Sequence, residues 1–109
     1  MKLPKLIADY VDAQNRREPE RILAGFSKSA FVHDEGRDHR GERDIKNWIR
    51  ETLQKYEFRI EPAGLVREDK ETVLTAKLSG SFPGSPVVMD FHFEFEGKQI
   101  TSLIIEPHA

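Results

Sequence analysis

Leu3, Leu6, Ile7, Tyr10 and Val11 recur at spacings of three and four near the start of the chain, while Lys5, Asp9 and Asp12 fall between them. That period predicts an amphipathic helix with Tyr10 on its buried stripe. Pro19, flanked by Glu18 and Glu20, announces a second, shorter helix, because proline fits the first turn and carboxylates suit the positive end of the helix dipole. Ile22, Leu23 and Phe26 are its expected apolar face, and Gly25 loosens its end. Phe31 to Asp34 reads as a short strand, and the polar, glycine-flanked stretch from Glu35 to Gly41 as a loop. Helical spacing then returns with Ile45, Trp48, Ile49 and Leu53.

After Gln54 the pattern changes. Tyr56 to Val66, Thr72 to Phe82, Val87 to Phe95 and Gln99 to Ile105 are runs rich in β-branched and aromatic residues, separated by Glu68-Asp69-Lys70-Glu71, Pro83-Gly84-Ser85-Pro86 and Glu96-Gly97-Lys98. The last two separators have the chemistry of hairpin turns. In the third run Val87, Met89, Phe91, Phe93 and Phe95 share one face, and Val88, Asp90, His92 and Glu94 share the other, because strand side chains alternate. Helices followed by antiparallel hairpins argue for an α+β fold, with a sheet that curls over three N-terminal helices and turns its phenylalanine ladder towards them.

The chain has 109 residues, enough for one domain with one core and too few for a separate cofactor domain. Its 17 basic and 19 acidic residues are interspersed and nearly balanced, so no long-range field favours nucleic acid or an acidic membrane. Cysteine is absent, which removes disulfides, thiolate metal sites and cysteine nucleophiles. The opening MKLPKLIADY is broken by proline and aspartate where a secretory segment needs an apolar run, so the expected location is the cytoplasm. No glycine-rich phosphate loop or nucleophile elbow occurs. His33, Asp34, His39 and His92 do not make a metal site in this pattern, since His33 and Asp34 point to opposite faces of their strand and His92 points away from the aromatic ladder. Neither a metal nor a cofactor is expected.

The order of the stretch YVDAQNRREPERILAGFSKSAFVHDEGRDHRG, from Tyr10 to Gly41, and the helix GERDIKNWI after it resemble the SnoaL-like and ketosteroid-isomerase-like branch of the NTF2-like superfamily. The resemblance covers nearly the whole chain. It implies an NTF2-like cone: helices against a strongly curved, mostly antiparallel sheet, enclosing a pocket open near the Asp34 to Gly41 loop. In ketosteroid isomerases a tyrosine on the first helix donates to the developing enolate and an aspartate at the end of the first short strand moves the proton. Tyr10 and Asp34 match those positions. The second oxyanion donor of those enzymes, an aspartic acid on a later strand, has only Asp90 as counterpart, and alternation turns Asp90 away from the pocket. The site is therefore closer to the SnoaL-like cyclase type, in which an acidic residue and a histidine act, and His39 stands where SnoaL-like sequences often carry a histidine before glycine.

The expected function is binding of a small apolar carbonyl or hydroxyl compound. Cofactor-independent isomerase, cyclase or dehydratase chemistry would use Asp34 as general base or acid and Tyr10 or His39 as donor. Phe26, Val32, Trp48, Met89, Phe91 and Phe93 are the expected apolar wall. Each polar residue also has a purely structural reading: Asp34 as a cap on the following turn, Tyr10 as a core tyrosine, His39 as a loop hinge. A different class stays open as well, a non-catalytic dimerisation or interaction domain. A homodimer through the outer sheet face is expected under either reading, since members of this family commonly pair that way.

Overall fold

The chain folds as α1 (Lys5–Asn15), α2 (Pro19–Ala24), β1 (Phe26–Asp34), β2 (Arg37–Arg40), α3 (Gly41–Lys55), β3 (Phe58–Arg67), β4 (Thr72–Gly80), β5 (Val87–Glu96) and β6 (Gln99–Pro107), in a computed structural model that describes residues 1–109. Three helices lie against one six-stranded sheet ordered β2-β1-β6-β5-β4-β3, so the α+β class read from the pattern holds. All neighbouring strands are antiparallel except β1 and β6, which are parallel. Register irregularities at Phe26–Phe31, Pro62–Gly64 and Glu94–Phe95 bend the strands and increase their twist, which curls the sheet round the helices. No helix is long and apolar enough to cross a membrane.

Alternation along β5 works as expected. Phe91 and Phe93 are buried against the helices, with Met89 and Phe95 packed beside them, and Phe91 pairs with Leu74 on β4 and Ile105 on β6. The opposite row joins Val73, His92, Ile104 and His33 across four strands of the outer face. From the helices, Ile7, Tyr10 and Val11 of α1, Ile22 of α2 and Ile45, Trp48 and Ile49 of α3 complete the core.

Several boundaries differ from the pattern reading. Phe26 opens β1 instead of closing the apolar face of α2, and the strand starts there and not at Phe31. Lys28 and Ser29 are exposed and sit within the register irregularity, so the buried positions Phe26, Ala30 and Val32 are too diluted to read as a strand. The expected Glu35–Gly41 loop contains β2, paired with β1 from Phe31–Arg40 to Asp34–Arg37. Glu35 and Gly36 have φ of 53° and 74°, the left-handed pair that a tight type I′ hairpin turn demands. Further on, Tyr56 precedes β3, and β4 stops at Gly80, short of Phe82.

Strand β3 is an edge of the sheet, and α1 covers part of it through one side chain. Asn15 Nδ2 donates to the Ile60 carbonyl at 2.9 Å, and Ile60 N–H donates to Asn15 Oδ1 at 2.7 Å. The amide thus replaces one rung of the missing neighbour strand. Arg17, beyond α1, donates from its guanidinium to the carbonyls of Leu53 and Tyr56 and so caps the end of α3.

Candidate active site

The type I′ turn fixes Asp34 as the last residue of β1, and strand parity turns it to the same side as the buried Val32. There it meets α3. Trp48 is on the buried stripe of that helix, and its indole N–H donates to Asp34 Oδ2 at 3.0 Å. Burial pushes the Asp34 carboxyl above its ordinary value of 3.8, the Trp48 hydrogen bond pulls it partway back, and the charge on Glu35 adds to the rise. A carboxyl held in that way exchanges its proton more readily near neutrality than a solvated one.

Tyr10 enters from α1 with its ring clamped edge-on by three phenylalanines, at centroid distances of 6.3 Å to Phe26, 6.3 Å to Phe91 and 5.4 Å to Phe93. One turn later Gln14, the one polar residue in the buried set, donates from Nε2 to the Tyr10 hydroxyl oxygen at 3.1 Å. Burial raises the phenol far above its usual range, the Gln14 bond opposes the rise, and the charge of Asp34 adds to it. Tyr10 is thus a neutral donor, never a base, at ordinary pH.

Asp34, Tyr10 and Gln14 face one cavity of about 260 Å³. Its other lining residues are Trp48, Thr52 and Tyr56 from α3 and its end, Phe58, Ile60 and Leu78 from β3 and β4, Phe82 and Pro83 from the β4–β5 loop, Val87, Met89 and Phe91 from β5, Ile105 from β6, and Glu35. Glu35 and Pro83 are the exposed members and mark the solvent end. There Tyr56 donates to Glu35 Oε1 at 2.6 Å and packs edge-on against Phe82, with ring centroids 5.9 Å apart. The walls are mostly apolar, with a few polar groups among them, as small-molecule sites require.

Of the residues singled out in the sequence, Tyr10, Asp34, Trp48, Met89 and Phe91 line this cavity. Phe26, Val32 and Phe93 do not: they share the inner face but belong to the core away from the cavity wall. His39 does not line it either. Its ring lies 6.1 Å from that of Trp48, in a separate recess of about 70 Å³ that shares Asp34, Glu35, Trp48 and Thr52 with the main cavity. Asp90 is on the outer face as parity demanded, accepting from Thr75 Oγ1 at 2.6 Å and lying 3.0 Å from His108 Nδ1. Gln14, Tyr56, Phe58, Ile60 and Phe82 are among the lining residues that the sequence pattern did not single out. Only Gln14 left a signal there, a polar side chain one turn after Tyr10 on an apolar stripe.

Residues 7–103 match the profile of the SnoaL-like domain. Among solved structures, a polyketide-cyclase candidate from Sinorhizobium meliloti superposes with a TM-score of 0.90 at 30% identity, over 95% of each chain. A protein with a ketosteroid isomerase-like fold from Catenulispora acidiphila, solved in complex with trimethylamine, gives 0.85 at 20% identity, over 96% of this chain and 86% of that one. The epoxide hydrolase/cyclase-like enzyme SalBIII, which acts in pyran ring formation in the polyether salinomycin, gives 0.83 at 15% identity, over 95% and 88% of the two chains. No curated protein matches.

Proposed function

The chain belongs to the SnoaL-like domain family, and from that premise we propose that it binds a small, largely apolar carbonyl or hydroxyl compound in the Asp34 cavity and moves a proton on it without a cofactor. The observation that carries this reading is that Asp34, a carboxyl raised by burial, and the Tyr10 phenol line the same largely apolar chamber. In that arrangement the Asp34 carboxylate takes a proton from the carbon beside a carbonyl, and the Tyr10 O–H stabilises the charge that develops on the carbonyl oxygen. The protonated Asp34 then returns the proton at a second carbon or to a leaving hydroxyl. Isomerisation, dehydration and aldol-type cyclisation all draw on this step. Likeness to a polyketide-cyclase candidate supports the last of the three.

His39 has a supporting place, since it shares a small recess with Asp34 and Trp48 and does not line the chamber itself. An interaction domain without chemistry would be better served by a chamber filled with side chains, and this one is open down to Asp34. The decisive experiment is a screen of ketones, hydroxy ketones and linear polyketide mimics for turnover, repeated with Asp34→Asn. The reading expects turnover by the wild type and its loss, by a hundredfold or more, in a folded variant that still binds. Turnover at the original level in Asp34→Asn removes the carboxyl from the mechanism.

A further inference from the structure

We propose that Gln14 is a positioning residue that aims the hydroxyl proton of Tyr10 into the cavity, so that this end of the site takes a ligand only through a hydrogen-bond acceptor such as a carbonyl oxygen. The inference rests on the reading of the cavity given above and specifies which way round its ligand lies.

Gln14 Nε2 already donates to the Tyr10 oxygen, and that is the only protein group bonded to it. A phenol has one proton and accepts with its lone pairs, so an oxygen that receives the amide N–H must point its own O–H elsewhere. The Tyr10 ring is fixed by its three phenylalanine neighbours, which leaves rotation of that proton as the remaining freedom. Tyr10 lines the chamber, and the chamber is where a partner for the proton can enter.

The amide itself is poorly placed for stability. Gln14 is 4% exposed and its Oε1 has no hydrogen-bond partner. Turned round, the amide would take the phenol proton on its oxygen and leave both of its N–H groups unpaired; as placed, it leaves that proton free for the chamber. A leucine would fill the same space without an orphaned polar atom. The feature that distinguishes glutamine from leucine here is the donor that it sets on the Tyr10 oxygen. The resulting chain, Gln14 to Tyr10 to ligand, strengthens as negative charge grows on the ligand oxygen, because each donor polarises the next. Asp34 supplies the opposite chemistry within the same chamber, so the ligand presents a carbonyl to Tyr10 and an acidic C–H or O–H to Asp34.

Isotope-labelled acetophenone tests the arrangement, with its bound carbonyl stretch read by infrared difference spectroscopy and its affinity by calorimetry. The wild type should lower the stretch relative to an apolar solvent, and Tyr10→Phe should abolish the lowering. Gln14→Leu should lose at least half of it and bind the ketone roughly tenfold more weakly, the factor for one ordinary hydrogen bond. Gln14→Glu should resemble the wild type at low pH, where the acid can donate, and should lose the lowering as a carboxylate forms and takes the Tyr10 proton for itself. A stretch unchanged in Gln14→Leu, or independent of pH in Gln14→Glu, makes Gln14 a packing residue and overturns the inference; the glutamate titration decides alone if the leucine variant misfolds. Either result leaves the cavity reading intact. Failure of the wild type to bind acetophenone at all takes down both.

Discussion

The indole N–H of Trp48 donates to Asp34 Oδ2 across 3.0 Å, linking the middle of α3 to the end of β1. The bond does two jobs. It fixes the carboxyl at the cavity wall, and it favours the charged form against the burial that disfavours it. Trp48→Phe keeps an aromatic plane but removes the donor, so the Asp34 carboxyl should titrate at still higher pH, and any activity that needs the carboxylate should shift its acid limb upward with it. Carbon NMR of the aspartate carboxyls against pH reads the first effect directly. A loss of about 1–3 kcal/mol in stability should accompany it, from the bond and the space vacated. An Asp34 titration unmoved by the substitution would refute this account of the pair.

The course of the chain from helices to hairpins was legible because its periods are strong: the α1 and α3 stripes and the β5 ladder each fall where the pattern put them. Asp34 was legible as well, as a carboxylate at a strand end before a Glu-Gly turn. The Trp48 contact was not, since it spans fourteen residues and depends on how α3 lies over β1. The cavity was least legible. Phe26, Val32 and Phe93 carry the same inner-face signal as Met89 and Phe91, yet packing fills the space around the former and leaves it empty around the latter. Alternation identifies a face; it does not say where on that face the helices fail to reach the sheet. In β1 even the face was obscured, because an irregularity spread over Ser27, Lys28 and Ser29 interrupts the period.

Asn15 should matter more than an ordinary surface amide. It satisfies both the N–H and the C=O of Ile60, which otherwise face the open edge of β3 beside the cavity. Asn15→Ala should cost about 2–3 kcal/mol in urea unfolding, two hydrogen bonds with partly buried partners left behind. Asn15→Asp should recover part of that, since it can still accept from Ile60 N–H but cannot donate to the carbonyl. An alanine variant as stable as the wild type would mean that water replaces the amide at this edge.

On the outer face, His92 lies between two carboxylates, Nδ1 3.0 Å from Glu71 Oε1 and Nε2 3.0 Å from Glu106 Oε1. Burial alone would lower its pKa, but the two carboxylates outweigh it and the net shift is upward from 6.5. Asp90, paired with His108, is a further titratable neighbour on this face, which also carries Glu94 and His33. A histidine with a raised folded-state pKa stabilises fully below its unfolded value, and that contribution disappears as pH rises through the folded value. Thermal stability should therefore decline as pH climbs above 6.5, and His92→Gln should flatten the decline. Parallel melting curves for the two proteins across that range would contradict the assignment.

The same face exposes Val66 and Val88, at 56% and 44%, around the Val73–His92–Ile104 row. We propose that two copies pair through it, burying these valines against each other in a two-fold contact. Sedimentation at micromolar protein should give the dimer mass, and Val88→Glu should give the monomer mass without disturbing ligand binding in the cavity on the other side of the sheet. A monomer that does not associate as concentration rises would sink the proposal.

Asp34 separates chemistry from architecture. Its carboxyl is raised in the folded state, so the folded protein holds that proton to higher pH than the unfolded chain does, and stability falls as pH rises from the unfolded to the folded pKa. Asp34→Asn removes that liability, because asparagine keeps the shape and can still accept the Trp48 N–H through its amide oxygen. The variant should match the wild type at pH below 3.8 and be the more stable of the two near neutrality. A carboxylate that serves the fold through its charge predicts the reverse, since the charged form would then be the stabilising one and its loss would lower the melting temperature at neutral pH. Melting curves at the two pH extremes distinguish these outcomes without any knowledge of the substrate: a gain at neutral pH marks a carboxyl held at this position against the stability of the fold, and a loss there marks one that serves the fold.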